Sequence, residues 1–244
     1  MTSLRSALAT RVAFAASLVV LGAHALVTQA IVGVWGPVPR FVPAQSALPW
    51  LIGVVVAACG LGLLWRRTTP IAARVLLGWL LLWLVLARLV EAATAPAVEG
   101  YWSGCGETLV PAAAAWMLMA RDGERGRVVA RVLYGLALSP FGIAHFVYLK
   151  ETASLVPAWL PAPNVWALAT GGAYIAAASA MLTGVRARLA AVLSAVQIGA
   201  FTLLVWLPVL ASGHADASSW SESAISLMLT AAACVIAQAM PPRS

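Results

Sequence analysis

Almost the whole of this 244-residue chain is divided into apolar runs separated by short polar turns. A helix needs about 20 apolar residues to cross a bilayer. The runs at 12–34, 49–65, 71–91, 107–120, 128–149, 164–183, 188–211 and 222–240 meet or approach that length, which predicts eight spans. Charged residues make up 9% of the chain, against roughly 25% in a soluble domain. So few charges cannot cover a water-facing surface, and lipid is the expected solvent. Eight spans also leave no room for a water-soluble catalytic domain. The expected fold class is an all-α membrane protein.

The net charge of +7 does not point to nucleic acid, because the basic residues sit in short clusters between apolar runs. Arg5, Arg11, Arg66, Arg67, Arg74, Arg121, Arg125, Arg127, Arg131, Arg186, Arg188 and Arg243 fall on one side of the predicted spans, and Arg40, Arg88 and Lys150 on the other. The positive-inside rule places the first set in the cytoplasm, with both termini. A bacterial inner membrane is the expected location. Glu91, Glu99, Glu107, Glu151, Asp216 and Glu222 fall on the outer side. Trp35, Trp50, Trp102, Trp159, Trp166 and Trp220 gather there too, as an interfacial belt does. Arg5, Arg11, the apolar stretch and Ala23-His24-Ala25 imitate a signal peptide, but the apolar run continues past that point, so a retained helix is expected.

The chain also repeats. Val38-Pro39-Arg40-Phe41-Val42-Pro43-Ala44 returns as Val156-Pro157-Ala158-Trp159-Leu160-Pro161-Ala162, an offset of 118, and Trp102-Ser103 returns as Trp220-Ser221 at the same offset. Ala23-His24 returns as Ala144-His145 at 121. Landmarks in one order and near one spacing indicate tandem duplication. The expected organisation is a first four-helix half (1–120), a cytoplasmic linker (121–127) and a second half (128–244), related by a pseudo-twofold axis along the membrane normal.

Ionisable groups within spans are costly and mark sites. His24 and His145 occupy the outer part of the first helix of each half, either as neutral histidines bonded to a carbonyl or as proton relays. Arg88 and Glu91, three residues apart, make a local ion pair or present Arg88 to an anionic or carbonyl-bearing ligand. Glu107 and Glu222 open the fourth span of each half. Ser219-x-x-Glu222 fits a capping box, which accounts for Glu222. Glu107 instead follows a flexible Gly104-Cys105-Gly106 lead-in and is the best single acid for a functional role. The proline pairs of the repeated element oppose a continuous helix, leaving a rigid interfacial turn or a re-entrant lip that shapes a pocket. Lys150-Glu151 reads as a surface pair, and His214 and Asp216 as a solvated loop. Cys59 and Cys234 lie in apolar runs, Cys105 in a polar segment, and no C-x-x-C pair exists. No spacing supports a metal site.

Gly142-Ile143-Ala144-His145-Phe146, Val156-Pro157-Ala158-Trp159-Leu160-Pro161, Trp166 and Thr170-Gly171 resemble the DoxX-like membrane proteins, well over 128–240 and weakly over 12–120. Members of that family are commonly single four-helix units, so the chain is similar to a fused pair. The resemblance implies a fold and a membrane address, and an association with quinone-linked redox systems. The acid carried by the family's T-G-x-x-E helix falls near Tyr174, which cannot act as a carboxylate base. The expectation is a membrane subunit with a quinone- or lipid-sized pocket in the outer leaflet. His24, His145 and Glu107 would handle protons, and Arg88, Glu91, Trp102, Tyr174, Trp159 and Trp220 would hold the ligand. Quinone is the one cofactor in view, since no haem, flavin or iron–sulfur motif is present. The alternatives are a membrane partner or assembly factor for another membrane or extracytoplasmic protein and, more weakly, a small-molecule transporter.

Overall fold

The computed structural model describes residues 2–31, 33–36, 38–120 and 123–240, and of residues 2–5 the backbone alone. Arg121, Asp122, Arg243 and the Arg5 side chain therefore lie outside the described residues. Everything described is helix or connecting turn, with no strand. The helices are α1 (Thr2–Thr28), α2 (Leu48–Leu64), α3 (Thr69–Trp83), α4 (Leu89–Thr94), α5 (Glu99–Met119), α6 (Glu124–Val147), α7 (Leu149–Ser154), α8 (Pro163–Thr183), α9 (Ala187–Phe201), α10 (Leu207–Ala211) and α11 (Ala217–Ala239). A π-helical turn at Leu84–Arg88 joins α3 to α4, and another at Thr202–Trp206 joins α9 to α10.

Seven segments are long and apolar enough to cross a membrane: Ser6–Thr28, Gln45–Leu64, Thr69–Thr94, Glu124–Val147, Pro163–Thr183, Ala187–Ala211 and Ala217–Ala239. The protein is thus an all-helical membrane protein. Helix α5 is not one of the seven. It begins at Glu99, eight residues before the run expected at 107–120, and carries both Glu99 and Glu107. Its surroundings explain why it can be more polar. It packs against α3, α6 and α11, and Ala112, Ala113, Ala114 and Ala115 are all buried. A helix enclosed by protein need not present an apolar face to lipid.

Close helix contact is made through small residues. A Cβ on Gly22 would lie 2.7 Å from the Gly53 carbonyl oxygen, and one on Gly142 would lie 3.0 Å from that of Gly171. The α1–α2 and α6–α8 crossings are therefore built alike. Other features also recur 118 residues apart. They include the two π-helical turns, the starts of α3 and α9, and the starts of α5 and α11. Ala44 and Ala162 both adopt left-handed backbone, with φ of 52° and 55°. Each proline element closes a turn in the same way: Val42 N–H donates to the Pro39 carbonyl at 3.0 Å, and Leu160 N–H to that of Pro157 at 2.9 Å.

Interior packing differs between the two parts of the chain. In the first, the Trp35, Trp79 and Trp83 rings meet with centroids 5.9–6.2 Å apart. Trp35 is 3% exposed, so it belongs to the core and not to the expected interfacial belt. In the second, polar clasps tie the helices. Tyr134 and Ser194 hydroxyls meet at 2.9 Å, Gln197 donates to the Thr170 carbonyl at 3.0 Å, and Thr202 meets Ser226 and Thr230 at 2.7 and 2.9 Å.

Candidate functional site

A cavity of about 670 Å³ opens in the second part of the molecule, among α5, α6, α8, α9 and α11. The second proline element, with Pro157, Trp159 and Leu160, forms one wall. Its first copy lines neither this cavity nor the smaller one that adjoins it; Phe41 there is exposed. Helix α6 contributes Phe141 and His145, α8 contributes Trp166 and Tyr174, and the π-helical turn contributes Trp206. Opposite them, α5 and α11 supply the two acids of the lining, Glu107 and Glu222. The walls are otherwise largely apolar. A volume of this order suits a drug-sized or lipid-sized molecule.

His145 is fixed by its own helix. Its Nδ1 lies 2.7 Å from the Phe141 carbonyl oxygen, and its ring stands 5.3 Å from that of Tyr174. A carbonyl only accepts, so Nδ1 carries the proton and donates it. In the neutral ring Nε2 is then an acceptor. Glu107 and Glu222 make no hydrogen bond among the described residues. They also border a second cavity of about 330 Å³, lined by Gly33, Gly36, Arg88, Val98, Gly100, Tyr101 and Gly104. The two carboxyl groups thus sit where the cavities adjoin.

Arg88 is 3% exposed, deep in the first part. Its Nη2 donates to the Gly33 carbonyl at 2.7 Å, and its Nη1 lies 3.7 Å from Glu91 Oε2. Gly33 makes that contact possible, with φ of 54° and a position where a Cβ would overlap Ile225. Gly104 serves the same end, since a Cβ there would come within 3.2 Å of the guanidinium.

Of the nine residues expected to form the site, the large cavity gathers His145, Glu107, Tyr174 and Trp159. Arg88 lines only the smaller cavity, and Glu91 pairs with it from outside. Trp102 spends its indole N–H on the Pro96 carbonyl at 3.0 Å, and half-exposed Trp220 lines neither cavity. His24 is also elsewhere, its Nε2 3.2 Å from the Ala217 carbonyl oxygen. The crossing glycines explain the separation. Gly22 matches Gly142, so His24 matches Ala144 and His145 matches Ala25. One residue along a helix is a turn of about 100°, which points the two imidazoles in different directions.

Three further expectations are corrected. Glu107 does not open its helix but lies well inside α5, and Gly104-Cys105-Gly106 is buried helix, not a flexible lead-in. Cys105 is 5% exposed. Glu222 is not part of a cap. The N-cap of α11 is Asp216, which accepts from Ser219 N–H at 2.8 Å and from its hydroxyl at 2.7 Å. Those bonds hold the Asp216 carboxyl below its ordinary range. Lys150 and Glu151 form no ion pair; among the described residues the recorded pair is Arg88–Glu91.

Phe141, Gln197, Phe201 and Trp206 were not singled out as site residues. Gln197 carries the one signal that could have revealed it, an amide in the middle of an apolar run. No group of three His, Cys, Asp or Glu side chains suited to a metal occurs among the described residues. No family model matches the chain, and no similar curated protein or solved structure was found.

Proposed function

We propose that this is a DoxX-like subunit of the bacterial inner membrane, with both termini cytoplasmic, that holds a lipid- or quinone-sized amphipath in the cavity of its second half. The single observation carrying this reading is the cavity itself, about 670 Å³ of largely apolar space with acids at one side and an imidazole in its wall. In this reading α5 is an eighth span, sheltered at the centre. The halves are two tandem bundles related by a twofold axis along the membrane normal. Support comes from the elements that recur at an offset of 118 and from the matching glycine crossings.

The ligand enters from the outer leaflet, past the lip made by Pro157, Trp159 and Leu160, and lays its apolar body against Phe201, Leu204 and Leu229. Its polar head then meets His145, Glu107 and Glu222. These groups can exchange protons with a head group, which is the chemistry a quinone-linked redox system would use.

The test is extraction of the purified protein. Wild-type protein in nanodiscs should carry one dominant amphipathic species, identified by mass spectrometry. Ala200→Phe, which fills the cavity, should lose it, and His145→Ala should hold it more weakly. Equal retention by wild type and Ala200→Phe, or nothing bound to either, defeats the reading.

A further inference from the structure

We propose that the large cavity selects amphipathic monocations, molecules with a single positive head on an apolar body. The inference rests on the reading of this cavity as a ligand site and names the class of ligand. Its basis is the balance of unspent groups in the wall.

Several polar donors facing the cavity are already used. The Gln197 amide nitrogen is bound to the Thr170 carbonyl, the Trp166 indole N–H to the Pro161 carbonyl at 3.1 Å, and the Ser103 hydroxyl to Glu99 at 2.7 Å. His145 spends its N–H on Phe141 and leaves an acceptor. The indole N–H groups of Trp159 and Trp206 remain as donors, and the hydroxyls of Tyr148, Thr152 and Tyr174 can serve as donors too. On the other side stand two carboxyl groups without hydrogen bonds and one imidazole nitrogen. A ligand whose head is only an acceptor would leave those carboxylates unmatched, whereas a cationic head meets them.

Charge gives the same answer. No lysine or arginine lines the large cavity. The neighbouring cation, Arg88, is bonded to Glu91 and the Gly33 carbonyl and borders the smaller cavity with Glu107. One guanidinium cannot match Glu91, Glu107 and Glu222 together, so carboxyl groups outnumber cations around the cavity. Phe141, Tyr148, Trp159, Trp166, Tyr174, Phe201 and Trp206 surround the space. Aromatic faces attract cations, and most strongly where water is excluded. An excess of carboxylate within an aromatic enclosure is complementary to a hydrophobic cation and repels an anion of the same shape.

Two ions of matched size and opposite charge provide the test. Binding of tetraphenylphosphonium and tetraphenylborate is measured on protein in nanodiscs, with empty nanodiscs subtracting partition into lipid. Wild-type protein should bind the phosphonium saturably. Glu107→Gln with Glu222→Gln should weaken that binding by about tenfold or more while leaving tetraphenylborate unweakened. Equal weakening of both ions, or no change for the phosphonium, overturns the proposal. A short-chain neutral quinone serves as the third probe. If Ala200→Phe displaces it but the phosphonium ignores the glutamates, the cation inference alone fails. If Ala200→Phe displaces no probe, the cavity reading fails. Should the double variant lose every probe, Glu107→Asp with Glu222→Asp decides. Retained phosphonium preference supports the proposal and its loss overturns it.

Discussion

At positions 118 apart, the first part of the molecule has Trp79, Trp83 and Arg88 where the second has Gln197, Phe201 and Trp206. The backbone around them is the same, an α-helix running into a π-helical turn. The first set is packed: Trp79 and Trp83 stack on one another and meet Trp35 at a tilt and edge-on, and a buried guanidinium is pinned by a carboxylate and a carbonyl. The second set lines a cavity. One backbone plan thus surrounds a packed tryptophan cluster, with only the smaller cavity beyond it, or borders the large cavity, according to a few interior side chains. π-helical turns are frequent at functional sites, but here their presence does not distinguish the tryptophan-packed side from the side of the large cavity.

The strongest way to break this comparison is to hollow the tryptophan-packed side. Trp83→Ala should cost about 3 kcal/mol, because a close-packed interior relaxes only partly around a void. Phe201→Ala, on a wall that already faces open space, should cost less than half as much. Unfolding in mixed micelles with rising dodecyl sulfate measures both, and equal losses would erase the distinction. Next in size is Arg88→Ala. It strands Glu91, which is 13% exposed at its side chain, and should cost about 3 kcal/mol or somewhat less. Arg88→Met with Glu91→Leu should recover most of that loss, since no unpaired charge remains. If the double variant is as unstable as the single one, Arg88 acts through packing.

Filling the large cavity sharpens the contrast from the other direction. Ala200→Phe should change stability by under about 1 kcal/mol while removing the bound amphipath. A large destabilisation would mean that the space is needed for packing. The smallest effect concerns the N-cap of α11. Hydrogen bonds from Ser219 lower the Asp216 carboxyl below its ordinary range, so the ionised form favours the folded state. That contribution is present above the unfolded carboxylate pKa and fades as pH falls through the folded one. Asp216→Ala should therefore lower Tm by a degree or two at pH 7, about the size expected for an exposed cap, and the difference should vanish in strong acid.

Much of the architecture could be read directly from residues. Apolar runs of sufficient length become helices because, in hydrocarbon, backbone polar groups must be satisfied within the segment. The proline elements announced matching turns, and the turns recur with the same left-handed alanine. The histidines misled, since the pairing of His24 with His145 was one residue out of step with the glycines that set the crossing. On a helix that error moves a side chain to another face. Glu107 does line the large cavity, but it lies inside α5 and does not open the helix, because a helix enclosed by others can carry polar residues along its length.

Composition and periodicity by themselves determined that the chain is helical and membrane-embedded, and that its landmarks recur, because these follow from the solvent each segment must face. Tertiary structure alone decided where space is left over. A cavity is the difference between the volume enclosed by packed helices and the volume of the side chains that meet inside. Those side chains come from α5, α6, α8, α9 and α11, and no local pattern shows which of them meet.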